Sequence, residues 1–313
     1  MKQFLLVGIL FFAHGVLAQP TSSFNSSRNW SLNKKEVFLS VGATQFLGDL
    51  GGRDQIGTQK SPVDIDWEAT RYGAGIGYRL RFHPLFATSS QLYFGLVSGD
   101  DANTEEIFRN SRNLHFRSQL IEFSQRFEYI VFANEKAGAR YRLGPKGAKT
   151  KATQIYLFTG VGALFFNPQA RINGSWENLH PLKTEGQGLP GGADPYSRVT
   201  VSIPSGIGFK VAIGQVWRIG LEVSYHKTFS DYIDDVSTDY YDPNALASQV
   251  GPNAAIASNP AKDNIDWFAP GLQRGNPDDK DAFLLTNIVL TRNISYPRSQ
   301  KPKNVKWKGR TKF

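Results

Sequence analysis

Hydrophobic and polar side chains alternate with a period of two from Val199 to about Tyr225, which predicts two antiparallel strands rather than helices. The first strand places its odd-numbered, mostly apolar residues on one side and glycine, serine and lysine residues on the other. After residues 214–216 the alternation restarts at Trp217. Alternating segments of about ten residues are typical of membrane-spanning β-barrels, which face lipid on one side and polar groups on the other.

The same alternation recurs elsewhere along the chain. Together with the pair above it gives eight predicted strands, at residues 36–47, 69–82, 90–98, 115–132, 153–166, 199–213, 217–229 and 282–296. An even number of strands is what a bacterial outer-membrane barrel requires. The sequence therefore predicts an all-β fold, an eight-stranded antiparallel transmembrane β-barrel with long extracellular loops. A soluble β-sandwich or lipocalin-like barrel also alternates, but charge would dominate its outward face.

Charged residues recur on the polar face of the predicted strands, where a narrow barrel would bury them. The second strand alternates arginines with glycines, and a crowded interior accommodates long side chains beside residues that have none. Acidic residues on the fourth strand are expected to neutralise these arginines. The predicted interior charges are Arg71, Arg79, Arg81, Glu122, Arg126, Glu128, Lys210 and Glu222.

The connections between the predicted strands differ in length and define two sides. Those at 48–68, 99–114, 167–198 and 230–281 are long, whereas two connections on the opposite side are short. Long loops outside and short turns inside are the asymmetry of outer-membrane barrels, so both termini are expected in the periplasm. The connection at 133–152 departs from this rule, because it is long and basic on the predicted periplasmic side.

Both ends of the chain differ in composition from the barrel. Residues 1–18 combine a lysine, an apolar run and a small-residue end, which predicts a secretory signal peptide. Residues 19–35 are polar and form a predicted flexible leader. The barrel is assigned to 36–296, which leaves 297–313 as a basic periplasmic tail. The tail carries seven basic residues and no acidic one, so most of the net charge of +9 belongs to it.

Two basic elements on the predicted periplasmic side are the candidate partner-binding sites. Behind a signal peptide we expect no nucleic acid as a partner, which leaves anionic outer-membrane lipids or an acidic protein surface. The candidate residues are Lys136, Arg140, Arg142, Lys146, Lys149, Lys151, Arg298, Lys301, Lys303, Lys306, Trp307, Lys308, Arg310 and Lys312.

Candidate catalytic chemistry is sparse. The absence of cysteine excludes disulfides, thiolate metal sites and cysteine nucleophiles. Ser224 and His226 share the polar face of one strand, but a nucleophile also needs an oxyanion site, so filling of the interior is the simpler interpretation. The acidic, aromatic segment 231–242 is either the rim of the barrel or a calcium site, although its spacing is not that of a helix-flanked calcium loop. We assign no catalytic, cofactor or metal site.

Four segments in the second half of the chain resemble the PorG-like outer-membrane β-barrels of the Bacteroidetes. They are residues 160–170 (GVGALFFNPQA), 181–188 (PLKTEGQG), 202–210 (SIPSGIGFK) and 217–237. The resemblance implies a component of the type IX protein secretion system, whose barrel associates with a periplasmic ring of a lipoprotein and its soluble partner. It implies no catalytic residue and no cofactor.

These observations lead to the hypothesis of a non-enzymatic outer-membrane protein that anchors or adapts a periplasmic ring. An eight-stranded barrel is filled by its own side chains and is too narrow for protein export, which favours an anchor over a pore. Two alternatives remain open. One is a structural or adhesive barrel that acts through its surface loops, and the other is a lipid-modifying enzyme that uses Ser224 and His226.

Overall fold

The computed structural model describes residues 34–50, 68–104, 106–134, 153–213 and 216–294. The strands within these ranges are β1 (Lys35–Leu47), β2 (Arg71–Arg81), β3 (Phe86–Asp100), β4 (His115–Asn134), β5 (Thr153–Ile172), β6 (Ser175–Asn178), β7 (Val199–Ala212), β8 (Trp217–Thr228) and β9 (Ala282–Asn293). Three short α-helices in the same ranges are α1 (Ile107–Arg112), α2 (Pro243–Gln249) and α3 (Pro252–Ser258). No helix in the described part of the chain has the length and apolar character needed to cross a membrane.

Eight of these strands form a closed antiparallel β-barrel, as the sequence predicts. They pair in the order β4-β3-β2-β1-β9-β8-β7-β5, and the pairing of β4 with β5 closes the sheet. The first and last strands lie side by side, from Glu36 opposite Asn293 to Leu47 opposite Ala282. Closure gives each of the eight strands a partner on both sides, so the barrel has no free edge.

Side chains alternate between the outer and inner surfaces of the barrel. On β4, the outward-facing Ile121 and Phe123 are 43% and 55% exposed, whereas the inward-facing Glu122, Ser124 and Arg126 are at most 3% exposed. The outer surface is therefore a band of aliphatic and aromatic side chains around a polar interior. This is the arrangement of a membrane-spanning barrel, because a soluble barrel places its apolar face inside.

The barrel has two unlike ends. The end that carries Lys35, Asn293 and the tight turn between β2 and β3 is called the turn end. The opposite end is called the loop end, and it carries the segments 101–114, 173–198 and 229–281 together with the three helices. At the loop end, β5 continues past the barrel and forms a hairpin with β6.

Glycines on the inward face make room for aromatic side chains of neighbouring strands. A Cβ atom at Gly73 would lie 2.4 Å from the hydroxyl oxygen of Tyr93, and one at Gly208 would lie 2.2 Å from the ring of Tyr156. Packed atoms do not approach this closely, so the interior is filled to contact at both points. This is the crowded interior that the alternation of arginine and glycine predicts.

Several strand ends differ from the sequence prediction. β3 begins at Phe86 rather than near residue 90. The sequence prediction misses its first residues because the polar Thr88 and Ser90 face outward and interrupt the apolar alternation. β5 extends to Ile172 because it leaves the barrel to pair with β6. The three loop helices were not predicted, since each is short and is held by tertiary contacts.

Other predicted segments lie outside the described residues. These are the signal peptide at 1–18, nearly all of the leader at 19–35, most of the basic connection at 133–152 and the tail at 297–313. Their assignments remain predictions.

Candidate functional site

The half of the barrel interior next to the turn end is filled by charged side chains from many strands. All of them are buried, and a phenol hydroxyl lies among them. This charge cluster consists of Glu36, Arg79, Arg126, Glu128, Tyr156, Lys210, Arg218 and Glu222.

Arg79 lies at the centre of the charge cluster. Its Nε atom is 2.7 Å from Glu128, and its Nη2 atom donates to Glu222 and to the Tyr156 hydroxyl, each at 3.0 Å. The Tyr156 hydroxyl in turn donates to Glu222. The guanidinium also lies 5.0 Å from the ring centre of Phe38 and 4.7 Å from that of Tyr156, which adds cation–π attraction. Every face of this buried cation is therefore compensated.

The remaining members of the charge cluster complete the network. Glu36 accepts hydrogen bonds from Lys210 Nζ and Arg218 Nη1, each at 2.6 Å, and Arg126 Nη1 donates to Glu222 at 3.1 Å. Buried ions lose their hydration, so they are stable only when paired and hydrogen-bonded. The cluster is a closed set of ion pairs, and it occupies the space that a channel would need.

Most of the predicted interior charges lie inside the barrel. The buried members are Arg79, Arg81, Glu122, Arg126, Glu128, Lys210 and Glu222. Arg71 is exposed instead, and its Nη1 atom donates to the backbone oxygens of Glu68 and Thr70 at 3.0 and 2.9 Å. It shares the inward side of β2 with Arg79, but it begins the strand at the loop end, where its side chain reaches solvent.

Three members of the charge cluster were not among the predicted interior charges. Glu36 and Arg218 fall on the inward face by simple alternation from Phe38 and Glu222, so the period of two would have found them. Tyr156 carried no such signal, because both faces of its strand contain apolar residues.

Ser224 and His226 lie side by side inside the barrel. The Ser224 Oγ atom is 3.0 Å from His226 Nε2, and His226 Nδ1 is 2.8 Å from a carboxylate oxygen of Glu122. Ser202 Oγ donates to the same oxygen at 3.0 Å. A serine, a histidine and a carboxylate in this order form the hydrogen-bonded chain found in nucleophilic triads.

The surroundings of this chain differ from those of a catalytic triad. Ser224 and His226 are each 4% exposed, and the His226 ring stacks on Phe283 with 4.6 Å between ring centres. Ser224 also lies within the strand ladder, opposite Gly206 and Leu285. Backbone N–H groups bonded within a sheet are not free to form an oxyanion hole. These hydrogen-bonded side chains therefore form a buried polar relay that links β4, β7 and β8.

The half of the interior next to the loop end holds the main hydrophobic core. Strand residues of this core include Phe46, Tyr93, Val97, Phe116, Leu120, Leu164, Phe166, Phe283 and Leu285. Ile233 and Val236 of the loop segment 230–237, here called the plug segment, are buried among them. The rings of Tyr196 and Tyr232 stack at 4.3 Å beside the core. The plug segment therefore closes the mouth of the barrel at the loop end.

A carboxylate from another loop holds the plug segment in place. Glu185 accepts hydrogen bonds from the backbone N–H groups of Ser237 and Thr238, at 2.8 and 3.1 Å, and from the Thr238 hydroxyl at 2.8 Å. Arg274 Nη1 donates to Glu185 at 2.9 Å and to the backbone oxygen of Asp235 at 2.6 Å. No sequence pattern predicts this pair, because its members are far apart along the chain.

Asp235 is buried in the plug segment between two hydroxyl donors. Thr184 Oγ1 donates to it at 2.5 Å and the Tyr196 hydroxyl at 2.6 Å. Burial raises the pKa of Asp235 from 3.8 to about 6, although Arg274 and the two hydroxyl groups act in the opposite direction. The carboxyl group therefore titrates near neutral pH.

Asp234, in the acidic segment 231–242, bonds to backbone groups. Its two oxygens accept from the backbone N–H groups of Leu50 and Val236 at 3.2 and 3.0 Å. Burial, together with the neighbouring carboxylates of which Asp281 is the strongest, raises the pKa of Asp234 well above its ordinary value. Nowhere in the described ranges do three or more His, Cys, Asp or Glu side chains converge as a metal site.

The loops also present an apolar groove to solvent. It is lined by Glu106, Ile107, Phe108 and Trp267. Phe108 and Trp267 stack with 6.1 Å between ring centres, and Ile107 is 69% exposed. The groove lies where α1 meets the loop segment 229–281, so two loops build it together.

The predicted partner-binding residues cannot be compared with any of these features, because they lie outside the described residues. They belong to the basic connection after β4 and to the tail after residue 296. The assignment of these residues to a partner remains a prediction.

Comparison with known proteins finds similar solved structures. No protein-family model matches the chain, and no curated protein matches it. Among solved structures, the chain is similar to neisserial surface protein A, with 6% identity over 83% of this chain and 96% of that chain and a TM-score of 0.35. It is also similar to Ail, the attachment invasion locus protein of Yersinia pestis, in complex with the heparin analogue sucrose octasulfate. There the identity is 10% over 83% of this chain and 97% of that chain, with a TM-score of 0.32.

Proposed function

We propose that this chain is a non-enzymatic outer-membrane component of the type IX protein secretion system. Its barrel anchors a periplasmic ring, built from a lipoprotein and a soluble partner, to the outer membrane. Both termini lie in the periplasm, outer-membrane lipids surround the barrel, and no cofactor takes part. The ring binds the basic connection 133–152 and the basic tail 297–313.

The observation that carries the anchoring role is the filled interior. The charge cluster occupies the half of the barrel at the turn end, and the plug segment and hydrophobic core occupy the half at the loop end. A barrel filled in both halves offers no route to an exported protein. Its contribution to secretion is then to hold other components at the membrane.

The assignment to one secretion system rests on the residues that resemble PorG-like barrels. Within the resembling segments, Thr184 and Glu185 bond to the plug segment, and Lys210 and Glu222 belong to the charge cluster. These segments thus contribute residues to both fillings of the barrel. The resembling residues thereby support a rigid and closed membrane anchor.

The test is purification of the tagged full-length protein from outer membranes in mild detergent, followed by mass spectrometry. We expect a periplasmic lipoprotein and its partner in a fixed ratio. Reversing the charges at Lys146, Lys149 and Lys151, together with deletion of 297–313, should release the ring and reduce secretion.

A matched control reverses three lysines at the loop end, Lys227→Glu, Lys262→Glu and Lys280→Glu. The change in net charge matches that of the three lysine reversals in the connection, but these residues lie far from the predicted contact, so ring recovery should persist. Retention of the ring by the first variant would refute the contact. Repeated recovery of a lone barrel from unmodified membranes would refute the anchoring role.

The second candidate function is binding at the cell surface through the loops. The observation that favours it is the exposed groove of Ile107, Phe108 and Trp267, since apolar surface on a folded loop is typical of interaction sites. This candidate predicts normal secretion in a strain that lacks the protein. It also predicts that Trp267→Ala abolishes binding of the surface ligand to the loops. Trp176→Ala on the β5–β6 hairpin is the control and should keep this binding.

The third reading, a lipid-modifying enzyme, predicts that Ser224→Ala changes the profile of lipid A or phospholipids. The buried relay geometry leads us to expect no change. Ser202→Ala is the matched control, because it removes a hydroxyl that bonds to the same carboxylate of Glu122. Loss of a lipid product only in Ser224→Ala and His226→Ala would restore the enzyme hypothesis.

A further inference from the structure

The outer wall of the barrel is not uniformly apolar. On β1 and β2 the outward positions across the band are aliphatic or aromatic, namely Val37, Leu39, Val41, Ala43, Tyr72, Ala74, Ile76, Tyr78 and Leu80. A group of polar side chains interrupts the band on β3, β4, β5 and β7. This polar row consists of Thr88, Ser90, Gln125, Thr159 and Ser205.

The members of the polar row lie in two cross-strand groups on neighbouring strands. Ser90 lies opposite Gln125, and Thr159 lies opposite Ser205. Phe127, which is paired with Thr159, separates the two pairs. The members therefore form one patch on one side of the barrel, with β4 and β5 at its centre.

Three members of the polar row, Gln125, Thr159 and Ser205, lie in the middle of the apolar band. Along β4, Gln125 follows the outward-facing Ile121 and Phe123 and precedes Phe127 and Tyr129. The members of the row on β5 and β7 are likewise flanked by apolar outward residues two and four positions away on both sides. These three members therefore lie at the depth of the lipid hydrocarbon, and their side chains are too short to reach a headgroup.

The members of the polar row bond to one another. Ser90 Oγ donates to Gln125 Oε1 at 2.5 Å, Gln125 Nε2 donates to Thr88 Oγ1 at 2.5 Å, and the Thr159 and Ser205 hydroxyls are 2.9 Å apart. Among the described residues these bonds use one of the two N–H groups of the Gln125 amide. Lipid hydrocarbon contains no acceptor for the second N–H group, and an unpaired donor in hydrocarbon is energetically costly. The row therefore favours a protein neighbour over lipid.

We propose that the polar row is the surface at which two copies of this chain meet side by side in the membrane. In a dimer with a two-fold axis, the same surface of each copy forms the interface, so its polar groups must be able to bond to identical groups. Amides and hydroxyls each donate and accept, and the row contains no charge that would repel its copy. Next to Thr159, the side chains of Val161, Ala163 and Ser205 are small, which allows two walls to approach closely. This proposal is independent of the secretion role.

The test uses the natural lack of cysteine, because single cysteines then report neighbours without background. Val161→Cys lies beside the polar row and is 57% exposed, and Ile288→Cys on β9, 60% exposed, is its match on the opposite wall. Each full-length variant is oxidised with copper–phenanthroline in native outer membranes and, after purification, in phosphatidylcholine vesicles at low protein density. We expect Val161→Cys to give at least about five-fold more disulfide-linked dimer, the ratio that one net hydrogen bond supplies.

A second variant examines the polar row itself. Gln125→Leu combined with Thr159→Val removes the polar groups of the two central strands while nearly keeping side-chain size, and it should reduce the Val161→Cys dimer about five-fold or more. Heat-modifiable gel mobility shows that each variant barrel is folded. Equal cross-linking at Ile288→Cys, or no loss in the double variant, would overturn the proposal. Cross-linking only to a different protein in native membranes, and none in vesicles, would also overturn it and assign the row to that protein.

Discussion

At the scale of single residues, the buried charges in the turn-end half of the barrel pair with one another. Arg79 and Glu222 face each other in an interior that excludes most water, where an unpaired ion would be very unfavourable. Their partners come from strands distant along the chain, so each residue depends on the closure of the whole sheet. Replacing one member leaves its partners charged and buried.

Glu222→Gln is therefore expected to destabilise the barrel strongly. It leaves Arg79 and Arg126 without one of their carboxylates, and breaking a buried pair typically costs about 3–5 kcal/mol. Urea unfolding in lipid vesicles, followed by heat-modifiable gel mobility, measures the change. Glu68→Gln, at an exposed position before β2, is the control and should cost about 0.5 kcal/mol or less. Equal effects in the two variants would show that the network contributes little.

At the scale of elements, the plug segment is a loop that behaves as part of the core. Ile233 and Val236 are buried among strand residues, and Glu185 binds the backbone that follows them. A loop is normally held by its ends, whereas this one is also held at its centre. Its stability should therefore depend on packing and on the protonation of its buried carboxyl groups.

The packing contribution is tested by Ile233→Ala. Removing a buried isoleucine side chain loses contact area and leaves a cavity, at a typical cost of about 2–5 kcal/mol. Amide hydrogen exchange of the plug segment should rise accordingly. Ile265→Ala, which truncates an exposed isoleucine in the same loop, should leave the exchange unchanged. Slow exchange in both variants would contradict the view that the plug segment belongs to the core.

The protonation contribution is tested by pH. The pKa of Asp235 in the folded loop is about 6, above the ordinary value of 3.8, so the folded loop binds this proton more tightly. Protonated Asp235 therefore stabilises the folded plug segment. This stabilisation is fully present below about pH 4 and is lost as the pH rises through about 6, which lowers the free energy of unfolding of the segment by about 3 kcal/mol. Hydrogen exchange in the plug segment, corrected for intrinsic rates, should therefore become faster from pH 4 to pH 7.

Asp235→Asn should reduce this pH dependence, because the amide does not titrate. Asp234, whose pKa is also raised by burial, accounts for what remains. Asp278→Asn, at an exposed position of the same loop, should keep the full dependence. An unchanged pH profile in Asp235→Asn would assign the titration to a different group.

At the scale of the whole molecule, two independent fillings close the same barrel. The charge cluster lies toward the turn end and the hydrophobic core toward the loop end, so neither depends on the other to block passage. This redundancy is consistent with an anchor whose wall and loops present surfaces to other molecules. Because of it, the barrel should stay closed even when its loops are altered.

We therefore expect no steady conductance from the full-length protein in planar lipid bilayers. Replacing the plug segment 230–237 with a glycine–serine stretch of equal length should also leave the barrel closed, because the charge cluster still fills the other half. Only the further substitutions Arg79→Ala and Glu222→Ala should admit ions. Discrete conductance steps after replacement of the plug segment alone would show that the charge cluster does not seal the barrel.

The sequence by itself determined the barrel wall, because alternation is a local property. Each strand repeats every two residues, so Phe123 and Arg126 were assigned to opposite faces without knowledge of any other strand. The same rule placed Arg79, Glu128 and Glu222 inside. It failed for Arg71, since the period of two indicates a face but not the depth along the barrel.

Only the tertiary structure decided which residues meet across the barrel and how the loops fold. Glu36 pairs with Lys210, and Glu185 pairs with Arg274, although the members of each pair are too far apart along the chain for a sequence pattern to relate them. The plug segment carries too few apolar residues for a core element to be predicted, and burial of Ile233 follows only once eight strands enclose a space for it. Alternation is set by neighbouring residues, whereas pairing across the interior is set by closure, strand order and register, which no single segment contains.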